Sequence, residues 1–302
     1  MQQISDTDLI LNTDGSIYHL NLLPEDIADT VITVGDPDRV GEVSKHFDTI
    51  ELKKGKREFI THTGTMGGKR ITVLSTGIGT DNIDIVLNEL DALVNINFAN
   101  RTVNEQLRSL NIIRIGTSGA VQANIEVDTL LVSEGAWGLD ALMTYYQVEL
   151  SDQEEVYKTA LEHHFSNRYG NHSEDDPYYH FPLKVYFTYG DKGLLVKLAD
   201  DLPKGFTVTA PGFYAPQGRQ VRAKALMGDF LKNLSDFYYE GNITNLEMET
   251  AGIYGLSKAL GHKAISFNVI LANRVTNVFS ERPAGIMEQY IADILARIAK
   301  GI

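Results

Sequence analysis

The chain contains no cysteine. Disulfides, thiol nucleophiles and cysteine-held metals are excluded, and such a composition suits a reducing compartment, so a cytoplasmic location is expected. Positive charge is scarce, with 27 Lys and Arg against 40 Asp and Glu and a formal net charge of −13. A chain this acidic repels nucleic acid and anionic membrane surfaces at long range, and neither is expected as a partner. No stretch approaches the ~18 apolar residues of a membrane span. Residues 1–30 carry Asp6, Asp8, Asp14, Glu25, Asp26 and Asp29 without a basic start or a long apolar run, unlike a signal peptide. The Gly-x-Gly-x-x-Gly fingerprint of dinucleotide sites is missing, and GTSG at 116–119 is not the Gly-x-Ser-x-Gly of a nucleophile elbow. The histidines of the polar stretch 150–181 (His163, His164, His172, His180) form no His-x-x-x-His pair, so that stretch is expected to be a solvated helix and surface excursion, with no metal site.

What is present is ordinary in bulk and specific in detail. The 302 residues are 43% hydrophobic and 22% charged. A chain of this length buries roughly three quarters of its unfolded surface and needs no staple. With no linker or internal repeat, a single domain over 1–302 is expected. β-Branched runs at 31–34, 70–76, 112–115, 129–133, 184–189, 206–209, 243–246 and 263–272 predict buried strands. Helical spacing predicts helices from Pro37 to about Phe47, from Asn82 to Asn95, up to Leu260 before Gly261, and from Pro283 to the end. Residues 16–22 alternate as a short extended segment. Residues 57–59 are expected to open a strand pairing with 69–75 through a turn at 63–68. Residues 95–110 read as polar helix or connection. Strands alternating with helices define an α/β protein with its site at the carboxyl ends of the strands.

Those strand ends hold the informative residues. Ile112–Ala120, IIRIGTSGA, predicts a buried strand emptying into a Gly/Thr/Ser loop. Arg114 sits among its isoleucines, where a guanidinium is costly unless it meets an anion. Two anions suit it: a bound phosphate at the loop, or a carboxylate of the chain itself. Val31–Val34 runs into Gly35-Asp36-Pro37-Asp38-Arg39, where Asp36 caps a helix, Pro37 takes its first position, and Gly35 with the helix N-terminus offers an anion site beside Arg39.

Taken together, HLNL at 19–22, GDPDR at 35–39, REF at 57–59, STGIG at 75–79, RIGTSGA at 114–120, FYAPQGR at 213–219, EMET at 247–250 and ANR at 272–274 resemble, in this order, the nucleoside phosphorylases of the purine and uridine type. The resemblance runs from about Gly15 to Arg274 and is weakest in 95–110 and 140–205. It implies a three-layer αβα fold with a central mixed, partly barrel-like sheet flanked by helices. It implies phosphorolysis of a nucleoside with inorganic phosphate as co-substrate and no cofactor. Phosphate falls to Gly35, Arg39, Arg57, Arg114 and Thr117. Ribose falls to His19, Met248 and Glu249, and the base to Phe213, Gln217 and Arg219, with Glu247 and Arg274 in support. His19 and Arg57 would come from a neighbouring subunit, and the form of 95–110, IIRIGTSG and PQGR matches the dimeric branch. The Gln-x-Arg spacing of Gln217 and Arg219 matches the uridine branch, and Ile270–Arg274 lacks the carboxylate that purine enzymes carry there. Two departures stand out. Val221 occupies the place of an acid that would steady Arg219, and Asn82 replaces a small hydroxyl partner of Glu58 at an interfacial potassium site, so the resemblance does not carry that ion over.

Overall fold

A computed structural model describes residues 3–169 and 184–302. Its strands are β1 (Thr30–Val34), β2 (Thr49–Lys56), β3 (Phe59–Met66), β4 (Lys69–Ser75), β5 (Ile96–Asn97), β6 (Thr102–Val103), β7 (Asn111–Ala120), β8 (Leu130–Gly138), β9 (Tyr186–Tyr189), β10 (Lys204–Thr209), β11 (Ile243–Glu247), β12 (Lys263–Asn273) and β13 (Val278–Phe279). Its helices are α1 (Pro37–Ser44), α2 (Thr80–Asn95), α3 (Asp152–Tyr169), α4 (Lys192–Ala199), α5 (Phe230–Asp236), α6 (Thr250–Leu260) and α7 (Pro283–Gly301).

β7 is the pivot. It runs parallel to β12 along its whole length, from Asn111 opposite Lys263 to Ala120 opposite Asn273. β12 then pairs with β8, β8 with β10, β10 with β11, and β11 returns to β7 at Gly119 and Ala120. This ring closes a barrel. β1, β4, β3 and β2 extend from the other edge of β7 as an open wing. The sheet is therefore mixed and partly barrel-like, with helices on its faces. Strand periodicity decides which face each side chain serves. Val31, Leu74, Ile112 and Ala264 pack with α2 and α6. Ile32, Val34, Val73, Ile113, Ile115 and Ile265 pack with α1, α4 and α7. A third, aromatic cluster around Trp137 is covered by α3 and α5.

Several expected boundaries move. Gly116–Gly119 is strand, not loop, because β12 pairs along all of it, with β11 joining on the other side at Gly119. Arg57 does not open a strand: it occupies the β2–β3 turn in the left-handed region, at φ 57°. The turn expected at 63–68 shrinks to Gly67-Gly68, and the strand runs on to Met66. Residues 95–110 contain the small β5–β6 ribbon rather than a continued helix. Residues 16–22 hold only a bridge from Ile17 to Leu11, followed by turns. α1 stops at Ser44, short of Phe47. β2 has no counterpart among the expected strands because TIELKKGK is an exposed edge strand without an apolar run. Residues 152–169 of the polar stretch are helix α3, with His163 and His164 on it; His172 and His180 lie outside the described residues. No His/Asp/Glu cluster with metal-holding geometry occurs among the described residues.

Candidate active site

Pairing of β1 with β7 ends at Arg114, and pairing of β11 with β7 begins only at Gly119. Between them the β7 edge has no strand neighbour on that side. Crevices where neighbouring strands part, at the carboxyl ends of a parallel sheet, are where α/β proteins bind ligands. Here a cavity of about 810 Å³ opens.

One wall is cationic. Asp36 caps α1, its side chain accepting from Asp38 N at 3.0 Å, and Pro37 occupies the first position. That fixes Gly35 and the helix N-terminus on the cavity and sets Arg39 beside them. Arg39 is partly buried and makes no side-chain hydrogen bond or ion pair among the described residues. Burial lowers its pKa, and repulsion from Arg114 adds to this against the opposing pull of Asp36 and Glu42.

The floor is acidic. β11 ends in Glu247, and Glu249 precedes α6. Glu247 accepts from the backbone N–H of Glu249 and of Thr250 and from Thr209 Oγ1, so it is locked by its own chain reversal. Glu249 accepts from Gly79 N at 2.8 Å and from Arg114 Nη2 at 2.7 Å. Arg114 Nη2 also lies 2.9 Å from Glu247, and Nη1 donates to Asn268 Oδ1 at 2.9 Å. The carboxylate alternative for Arg114 is thus what the structure contains, while the same guanidinium still lines the cavity. Burial alone would lower the Arg114 pKa, but Glu247 and Glu249 hold it above its ordinary value. Burial raises the Glu249 carboxyl and Glu247 repels it further, with Arg114 pulling the other way. Gly116 makes this packing possible. A Cβ there would lie 2.1 Å from Arg114 Nη1 and 2.3 Å from its Cζ. Gly116→Ala is therefore expected to push the guanidinium off its partners and to lower turnover roughly tenfold, measured as kcat/KM.

The third wall comes from the loop after β10. Arg219 Nη1 donates to Phe213 O at 2.7 Å and also to Gln217 Oε1. Its guanidinium lies 3.7 Å over the Phe213 ring. These contacts orient Arg219 without the acid that Val221 replaces; Val221 is 79% exposed. Burial and then repulsion from Arg274 push the Arg219 pKa down.

The cavity therefore brings together Gly35, Arg39, Arg114, Thr117, Phe213, Gln217, Arg219, Glu247, Met248 and Glu249. Arg274 stands behind it, donating to Gln217 O at 3.2 Å. His19 and Arg57 do not line it. His19 is held by Glu89, which accepts from its Nδ1 at 2.6 Å, and Arg57 is exposed at its turn. Sequence inspection missed Asn268 and took the Ser118 hydroxyl only as part of the expected anion loop. Their signal was the period-2 placement of polar residues in otherwise apolar strands, Ser266 and Asn268 in KAISFNVILA and Arg114 and Ser118 in IIRIGTSGA.

Positive charge on one wall and carboxylates on the other make a site for a substrate that combines an anion with hydroxyl groups. The chain belongs to the Phosphorylase superfamily, which matches residues 29–292. It is similar to a uridine phosphorylase of Thermococcus kodakarensis, 29% identical over 94% of this chain and 88% of the relative. A Haemophilus influenzae uridine phosphorylase is 26% identical over 85% of this chain and 86% of its own length. The solved structure of a Trypanosoma brucei nucleoside phosphorylase, which shows uridine phosphorylase activity, superposes with a TM-score of 0.83 at 27% identity and covers 96% of this chain and 99% of its own.

Proposed function

We propose that the protein catalyses reversible phosphorolysis of uridine to uracil and ribose 1-phosphate. The observation that carries the phosphate half is Arg39: a partly buried guanidinium, unpaired among the described residues, beside a helix N-terminus and within repelling distance of a second guanidinium. Such a pocket is relieved by an anion with several acceptor oxygens. Gly35 N–H, Arg39, Arg114 and Thr117 would hold it. Glu249 would accept from ribose hydroxyls, and Met248 would pack on the apolar face of the sugar. A phosphate oxygen forms the bond to C1′ while the C1′–N1 bond breaks and its electron pair leaves with the base. The developing oxocarbenium charge is favoured by phosphate on one side and Glu249 on the other. Gln217 would read the uracil edge with a donor and an acceptor, Arg219 would donate to the carbonyl where negative charge collects, and Phe213 would lie on the ring. The uracil anion then takes a proton from water.

The enzyme is read as a single domain acting in pyrimidine salvage or breakdown in the cytoplasm, and as a homodimer whose His19 and Arg57 complete the neighbour's site. Their absence from their own cavity supports that reading. Light scattering is expected to give the mass of a dimer, and a hexamer would overturn the reading. No helix among the described residues is long and apolar enough to cross a membrane.

The deciding assay is uracil release from uridine with and without inorganic phosphate, with inosine alongside. Uracil is expected only with phosphate, and inosine is expected to survive, because no carboxylate occurs in Ile270–Arg274. Release without phosphate would mark a hydrolase and leave the paired guanidiniums without a purpose. Binding of uridine without turnover would mark a sensor on this fold.

A further inference from the structure

Every strand of the closed ring sends a buried polar side chain inward: Arg114 and Ser118 from β7, Asn268 from β12, Ser133 from β8, Thr207 from β10 and Asn245 from β11. A lumen filled with apolar groups would be simpler to stabilise, since each buried polar group is tolerated only when satisfied. These side chains form one unbroken run, and its polarity can be worked out. Arginine only donates, so Asn268 turns its Oδ1 to Arg114 and its Nδ2 to Ser133 Oγ, at 2.9 Å. The Ser133 proton then goes to Thr207 Oγ1 at 2.6 Å, and Thr207 donates to Asn245 Oδ1 at 2.9 Å. Asn245 Nδ2 in turn donates to Ser118 Oγ at 2.9 Å. In this order every hydroxyl proton between Arg114 and Ser118 has an acceptor. Both ends of the run lie on the cavity wall. Ser118 accepts from Asn245, so its own proton is left to point away from the run.

We propose that Asn268, Ser133, Thr207 and Asn245 are positioning residues: a hydrogen-bonded bridge through the barrel that fixes the Arg114 guanidinium and the Ser118 hydroxyl together and presents the Ser118 proton to an oxygen of the bound nucleoside. None of the four bridge residues lines the cavity, so they act only through its two ends. The proposal rests on the phosphorolysis reading for its turnover assay but not for its geometry.

The test centres on Thr207, which is remote from the substrate. Thr207→Val keeps the shape and removes the hydroxyl, whereas Thr207→Ser keeps the hydroxyl. Thr207→Val is expected to lower kcat/KM about tenfold, and Thr207→Ser to stay within about twofold of the parent. Solvent exchange of the Arg114 Nη protons, followed by NMR on arginine-labelled protein, is expected to speed up in Thr207→Val and to hold in Thr207→Ser. Ser133→Ala breaks the same run and should reproduce the Val result, which covers a poorly folding Thr207→Val. Turnover and Arg114 exchange both at parental values in the broken-run variants, whatever the thermal midpoint does, would overturn the bridge. If the parent itself shows no uridine turnover, the functional reading fails, and the exchange measurement alone decides the bridge.

Discussion

Arg114→Met should lower kcat/KM for uridine phosphorolysis by about 10²–10³-fold, the loss typical of removing one preorganised donor from a transition-state anion. Methionine fills most of the volume, so the effect isolates the charge. The loss has two parts. The proposed phosphate site would lose a cation, and Glu247 and Glu249 are left buried together without their shared partner, 4% and 7% exposed. Breaking a buried pair by removing one member destabilises by about 3–5 kcal/mol, because the remaining charge is uncompensated. The pH dependence has a defined sign. In the parent, burial already places the Glu249 pKa above its ordinary value while Arg114 pulls it down. Without Arg114 it rises further. In the proposed role Glu249 accepts from ribose hydroxyls best as the carboxylate, so the acid limb of kcat/KM is expected to move to higher pH in the variant. Stability follows the same group. A carboxyl whose folded pKa exceeds its unfolded value costs stability as pH rises from the unfolded to the folded pKa. The variant's deficit should therefore be largest at neutral pH and shrink on acidification, which urea titrations at two pH values would measure. An unchanged acid limb would mean that Arg114 does not govern the ionisation of Glu249.

Much of this site was legible because strands end where chemistry begins. VITV before GDPDR, and a capped α1 with Asp36 and Pro37 in their places, follow from local rules that tertiary structure left intact. Arg114 was conspicuous for being charged in an apolar strand. What escaped was non-local. The glycines of GTSG look like a loop in one dimension, and they are strand because β12 pairs along them, with β11 joining only at Gly119. The glycine at 116 serves room for a guanidinium, not a turn. Arg57 looked like the start of a strand because Phe59 follows it, yet β2, a polar edge strand with no apolar signature, takes the chain into a left-handed turn there. The barrel itself could not be read from hydrophobicity, because closure depends on β12 meeting both β7 and β8 far from each in sequence. Which carboxylates would face Arg114 depended on that closure.

Arg219→Ala should remove a comparable factor, about 10²–10³ in kcat, by a different route. The C1′–N1 bond breaks with its electrons on the base, so the base carbonyl becomes an acceptor as the transition state is reached. Arg219 is held ready for it by Phe213 O, by Gln217 Oε1 and by the Phe213 ring. Desolvation and Arg274 have raised the free energy of its charge, which a developing anion would repay. Arg219 is not hydrogen-bonded or paired to Arg39, Arg114 or Glu249 in the structure, so KM for phosphate should hold while kcat falls. The leaving group supplies the sharper criterion. A uridine analogue whose base is more acidic, such as 5-fluorouridine, carries its own stabilisation of the leaving anion and should lose less than uridine when Arg219 is removed. If both substrates lose the same factor, Arg219 binds the base in the ground state rather than stabilising its departure. If phosphate affinity falls instead, the division of the cavity into a phosphate wall and a base wall is wrong.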